Sequence, residues 1–256
     1  MHRATPAADV SGLSCEGKVL SCEHARNPSD TASTGRSQEV VRAFETFIGR
    51  KSYPCLGAKS AHSRQALQCF CVDDIRSAAE DQRIAARVQS FAVQARQEDV
   101  FVSLAVLFPN SPLLSEAQFE QALWKRLRAL HLIDRVHHAW DASVSADPDS
   151  TDFCMSVGGK GFFIIGLHPG ASRVARRFQC PVMVFNLHSQ FEQLRADGRY
   201  GKLRSAIAAR DIVFSGSSNP MLATHGQSSA ARQYSGRMVE EDWTCPFASS
   251  EKENPE

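Results

Sequence analysis

Two short runs of β-branched and aromatic residues, FFIIGL at 162–167 and VMVFNL at 182–187, constrain this chain more than any other feature. Each is too short for a typical helix and rich in residues that pack well on a pleated surface. They predict two buried strands lying side by side in one sheet. Each run ends directly on a histidine, His168 and His188. Strand ends deliver side chains into loops held by a rigid sheet, so chemistry is expected there. Both imidazoles are expected to open into the same cleft.

The neighbours of the histidines sharpen this expectation. His168 lies in GLHPG, where Pro169 and Gly170 predict a sharp turn that projects the ring. His188 lies in NLHSQF, a strand-to-helix junction where a helix N-terminus would keep the imidazole neutral, as metal ligation requires. A loop hydrogen bond for His168 and a helix-cap role for His188 are the plain alternatives. Between the runs, Arg173, Arg176 and Arg177 fall at i, i+3 and i+4 on a helical segment expected over 172–178. One such face could clamp a carboxylate or phosphate, or simply be solvated.

The rest of the chain reads as alternating elements. Residues 1–36, rich in Ser, Ala, Thr, Pro and charge, predict a disordered leader, and 248–256 a disordered tail. Order is expected from Ser37, with a helix around 40–48 and a loop at 52–59. A strand is expected at 66–72, a helix at 75–94 and a central strand within 99–108. Ser115 and Gln118 form a capping-box signature for a helix over 116–130, with Phe119, Leu123, Leu127 and Leu130 on one stripe. A polar loop at 141–151, a turn at 157–161, helices at 189–196 and 200–210, and irregular chain after 221 complete the pattern. The expected class is α/β or α+β, a single domain over 37–247 with a mixed central sheet flanked by helices.

Composition excludes several function classes. The net charge of +1 gives no whole-chain attraction to nucleic acid or membrane surfaces. Arg64, Arg76, Arg83 and Arg87 are scattered without the interleaved aromatics of a single-strand binder, so no nucleic-acid partner is expected. No apolar run reaches a membrane span, and the amino terminus lacks a secretory h-region, which makes the cytoplasm the expected compartment. The eight cysteines contain no C-x-x-C pair and no C-x-x-C-H haem-attachment motif. The nucleophile elbow, the P-loop, the dinucleotide fingerprint and H-E-x-x-H are all missing. Cys55, between Pro54 and Gly57, is either a nucleophile, a thiolate ligand or a buried loop cysteine.

Seven stretches read together carry a resemblance. They are YPCLGAKS at 53–60, FPNSPLLSEAQ at 108–118, LWKRLRAL at 123–130, FIIGLHPGASRVARRF at 163–178, VFNLHSQFEQL at 184–194, DIVFSGSSNPML at 211–222 and QYSGRMVEEDWTCPF at 233–247. In this order they resemble the YqcI/YcgG family over residues 37–247. The resemblance implies a haem-dependent N-oxygenase, like the guanitoxin-biosynthesis N-hydroxylase branch. Such an enzyme hydroxylates a guanidine or amine nitrogen of a small amino-acid-like substrate. It implies non-covalent haem b, dioxygen as co-substrate and an electron donor or reductase; a homodimer is compatible with it.

Residue by residue, the resemblance implies His168 as the iron ligand and His188 as a catalytic group toward bound oxygen or substrate, with the two roles exchangeable. Asn186 joins the catalytic set, and Glu192 and Asn219 are further groups able to hold a guanidinium. Arg173, Arg176 and Arg177 are implied as holders of the haem propionates. Two other classes compete: a haem-binding sensor or carrier without turnover, and a haem-free enzyme using Cys55 as nucleophile.

Overall fold

The computed structural model describes residues 28–95, 100–221 and 228–247. The expected leader up to residue 27 and the expected tail at 248–256 lie outside the described residues. Helix α1 (Pro28–Gly49) begins nine residues before Ser37, where order was expected. Once its second half is docked through Val40, Phe44, Phe47 and Ile48, each further turn adds hydrogen bonds without a new nucleation cost. Helix α2 (Leu56–Ser63) replaces the expected loop; the Cys55 sulfur caps it by accepting from the Ala58 N–H at 3.4 Å.

Strand β1 (Leu67–Cys71), helix α3 (Asp81–Gln94) and strand β2 (Ser103–Leu107) form a parallel β-α-β unit. Every residue of β2 is buried, as its continuous apolar run requires of a central strand. Helix α4 (Glu116–Asp134) starts at the expected capping box, with both reciprocal hydrogen bonds present. Strand β3 (Met155–Val157), which the sequence pattern did not reveal, turns through Gly158 and Gly159 into β4 (Lys160–Leu167). Both glycines have positive φ, +62° and +68°, the conformation that this tight turn needs. Strand β5 (Val182–Leu187) is followed by α5 (His188–Ala196) and α6 (Tyr200–Ser215).

The five strands form one mixed sheet in the order β1-β2-β5-β4-β3, which bears out the expected class. On one face α3 and α4 bury Ile84, Val88, Phe91, Phe119, Leu123, Leu127 and Leu130 against Leu104, Val106, Phe162, Ile164 and Phe185. The other face carries α1 and α2 over Leu67, Ala105, Leu107 and Val182, and α5 against β4 and β5. Among the described residues no helix is long and apolar enough to cross a membrane.

One register decides where the histidines go. Strands β4 and β5 pair side by side, as expected, but antiparallel: Phe162 faces Leu187 and Leu167 faces Val182. A parallel return would need a crossover long enough to travel back along the strand, normally a helix. The connecting segment instead folds only into a 3-10 turn, Val174–Arg176, and re-enters the sheet at the end it left. The expected helix over 172–178 is absent, and with it the single face that would have carried three arginines.

Candidate functional site

On the α5–α6 side of the sheet lies a cavity of about 330 Å³, within the ordinary range for a small-molecule site. Its floor is the alternate set of strand side chains that the period of two turns to this face: Phe163, Ile165, Val184 and Asn186 among them. Its walls come from Tyr53–Cys55 before α2, from α5 and α6, and from the 3-10 turn. Most of the lining residues are apolar, with polar side chains among them.

One end is built around His188. Its Nδ1 lies 3.4 Å from the sulfur of buried Cys154, and its Nε2 lies 3.0 Å from Glu192, one helical turn along α5. Glu192 is paired in turn with Arg195. Thiol, imidazole and carboxylate thus stand in series. Burial pushes the Cys154 thiol up to about 12, with Arg195 opposing, so it rests protonated. Asn186, on β5 beside this end, accepts from Ser103 Oγ at 2.7 Å and donates to the Phe163 carbonyl at 3.2 Å. Its amide is held rigidly at the floor.

The other end holds the arginines, and the structure splits them. Arg173 is committed to Asp211, at 2.9 and 2.5 Å, and to the carbonyls of Ser217 and Ser218. Among the described residues Arg176 donates to neutral partners, the Gly166 carbonyl at 2.8 Å and the Gln233 carbonyl at 3.2 Å. Burial lowers the pKa of its guanidinium, partly opposed by Tyr53, Cys55 and Asp211 nearby. Arg173 and Arg176 both line the cavity; Arg177 does not, and instead donates to the Ala171 and Ser172 carbonyls. The expected common face therefore reduces to two cavity arginines, one of them already neutralised.

His168 is elsewhere. It follows β4 at the opposite end of the sheet from His188, so the expectation of one shared cleft does not hold: neighbouring antiparallel strands finish at opposite ends. The ring is 1% exposed, stacked on Phe119 with centroids 4.3 Å apart, and does not line the cavity. Its Nδ1 has no hydrogen-bond partner among the described residues. Burial lowers its pKa, against smaller opposing effects of Glu116 and the Leu114 carbonyl. Of the other expected groups, Asn219 lines the cavity with its Oδ1 accepting from the Met221 N–H, whereas Glu192 reaches the site only through His188. Cys55 lines the cavity as a helix cap, its pKa raised by burial.

Sequence reasoning missed three contributors. Cys154 gave no signal, because only the β3 edge brings it to His188. Gln190 is buried, and its Oε1 accepts from the N–H groups of Phe101 and Val102 while its Nε2 donates back to the Val102 carbonyl. That clamp holds Phe101, a non-glycine residue at φ +65°, with its ring in the cavity wall. Tyr53 sits in a motif that was recognised, but nothing local announced its place beside Arg176. Among the described residues no group of three or more His, Cys, Asp and Glu could hold a bare metal ion.

A model of the YqcI/YcgG family matches residues 44–248. No curated protein and no solved structure matches the chain.

Proposed function

The chain belongs to the YqcI/YcgG family, and from that premise we propose that it is a haem-dependent oxygenase acting on a nitrogen of a small amino-acid-like substrate, with His188 rather than His168 as the imidazole that meets the iron. The observation that carries this reading is the cavity's layout: an imidazole at one end, at the other a guanidinium whose hydrogen-bond partners among the described residues are neutral, and a largely apolar lining. That donor set suits an amphipathic cofactor: His188 would hold its iron and Arg176 would receive a propionate. Bound haem would supply the activation of dioxygen, which no side chain of the chain can perform.

The protein's own part is to bind, orient and exclude water. The contact between Cys154 and His188 Nδ1 fixes the ring's orientation and leaves Nε2, which faces Glu192, as the other ring nitrogen. Glu192, half-exposed on α5, can release Nε2 by a side-chain rotation. Asn186 is preorganised by its two hydrogen bonds to face a substrate nitrogen. Asp152, also in the lining, offers a carboxylate two residues from Cys154 for a guanidinium or ammonium group. The reading requires an electron donor, and the proposed compartment is the cytoplasm.

The test begins with colour. Purified protein, or protein incubated with haemin, should show a Soret band. After anaerobic reduction and exposure to dioxygen, a panel of guanidino and amino compounds should yield a product heavier by one oxygen. Protein that stays colourless and cannot be reconstituted would exclude the reading.

A second reading rests on the Cys154–His188–Glu192 series, which has the nucleophile, base and orienting group of a thiol enzyme. It replaces the expected Cys55, whose sulfur is engaged as a helix cap. Under it, iodoacetamide labels Cys154 with a pH profile that shifts in His188→Gln. Slow labelling at neutral pH, unchanged by that substitution, favours the oxygenase.

A further inference from the structure

Arg176 is a cation of the cavity wall with no carboxylate partner among the described residues. It is held by the carbonyls of Gly166 and Gln233, and among the described residues no carboxylate is within ion-pair distance of it. Its neighbour Arg173 is neutralised by Asp211. The three groups therefore leave one positive charge in this part of the wall. A guanidinium does not shed its proton in a protein, so the fold bears the cost of burying it. Five N–H donors are available, and two hydrogen bonds are described for them. The adjoining Gly236 stands at φ +83°, and a Cβ there would meet Arg176 Cγ at 3.3 Å, so the backbone is drawn in tightly behind the side chain and fixes it in place.

We propose that Arg176 anchors a carboxylate of the molecule that occupies the cavity. This deepens the reading above and rests on the same cavity, though not on haem. The chemistry is a carboxylate received by a planar, bidentate donor. Register sets the length of the ligand. Gly166, which fixes Arg176, is four residues along β4 from Phe162, and Phe162 faces Leu187 just before His188. Four residues of strand span roughly 13 Å. A molecule anchored at Arg176 reaches the His188 end only if it is elongated, with its reactive group far from its carboxylate. An amino acid with a long side chain and a haem with its propionates both meet this description.

Two pairs of probes separate these sources by calorimetry on the purified protein. L-Arginine is compared with agmatine, and haemin with haemin dimethyl ester. Loss of the carboxylate from arginine should weaken binding by about ten- to a hundred-fold if the anchor serves a substrate. Esterification should do the same to haemin if it serves a propionate. In either case Arg176→Gln should erase the preference and Arg176→Lys should keep part of it. The proposal is overturned if wild-type protein discriminates within neither pair, or if folded Arg176→Gln discriminates as well as wild type. Should Arg176→Gln not fold, the wild-type comparisons decide alone. A preference for arginine over agmatine in protein that binds no haemin would leave the anchor standing and remove the haem reading.

Discussion

His168 and His188 terminate neighbouring strands and yet stand at opposite ends of the sheet, because Phe162 faces Leu187 and Leu167 faces Val182. Six residues of strand, roughly 20 Å, separate them. They cannot serve one iron or one substrate. His188→Ala should abolish the haemin-bound absorption spectrum or leave a weakly ligated form that added imidazole restores. His168→Phe, which keeps the ring on Phe119, should leave the spectrum unchanged. An altered spectrum in His168→Phe, with His188→Ala unaffected, would refute the assignment.

His168 should instead be visible in the pH dependence of stability. Its folded pKa lies below the ordinary value of about 6.5. The unfolded chain therefore takes up the proton first as the pH falls. The stability associated with the neutral ring is complete above about pH 6.5 and is lost as the pH falls toward the depressed folded value. Thermal unfolding followed from pH 7.5 to 5 should show a declining melting temperature, and His168→Phe should flatten that decline.

Gly166→Ala should be severely destabilising. A Cβ there would lie 2.7 Å from Phe119 Cε1, 2.8 Å from Leu123 Cδ1 and 2.8 Å from the Tyr234 carbonyl. The last is backbone, itself bonded to the Gly166 N–H at 2.7 Å, and cannot move aside cheaply. Overpacking of this kind costs about 1–3 kcal/mol or more. Denaturant unfolding should show it, and a variant as stable as wild type would mean that β4 sits differently against α4.

Gln190→Leu should loosen the cavity wall. It removes the acceptor of the Phe101 and Val102 N–H groups and leaves a left-handed phenylalanine without its clamp. A loss of about 2 kcal/mol is expected from the unpaired donors. Hydrogen exchange at Phe101 and Val102 should rise well above that of β2. Unchanged protection would show that the turn is held from elsewhere.

Much of the scaffold is local and so could be read along the chain. The capping box at Ser115 and Gln118, the stripe of Phe119, Leu123, Leu127 and Leu130, and the apolar run of β2 all follow from rules spanning a few residues, and each appears where expected. Strand β3 escaped notice because three residues are too few to show a period. The arginine cluster misled because spacing of i, i+3, i+4 means a shared face only on a helix, and a three-residue 3-10 turn does not supply one.

The sequence by itself determined the long helix α4, the central strand β2, the mixed α/β class, the family and the two strands that end on histidines. Only the tertiary structure decided which histidine meets the cavity, that Cys154 stands beside it, and that Arg176 rather than Arg177 faces inward. Strand direction, register and the partners of a buried charge are relations between distant segments. They are set by which faces can be buried together, and no window of neighbouring residues contains that information.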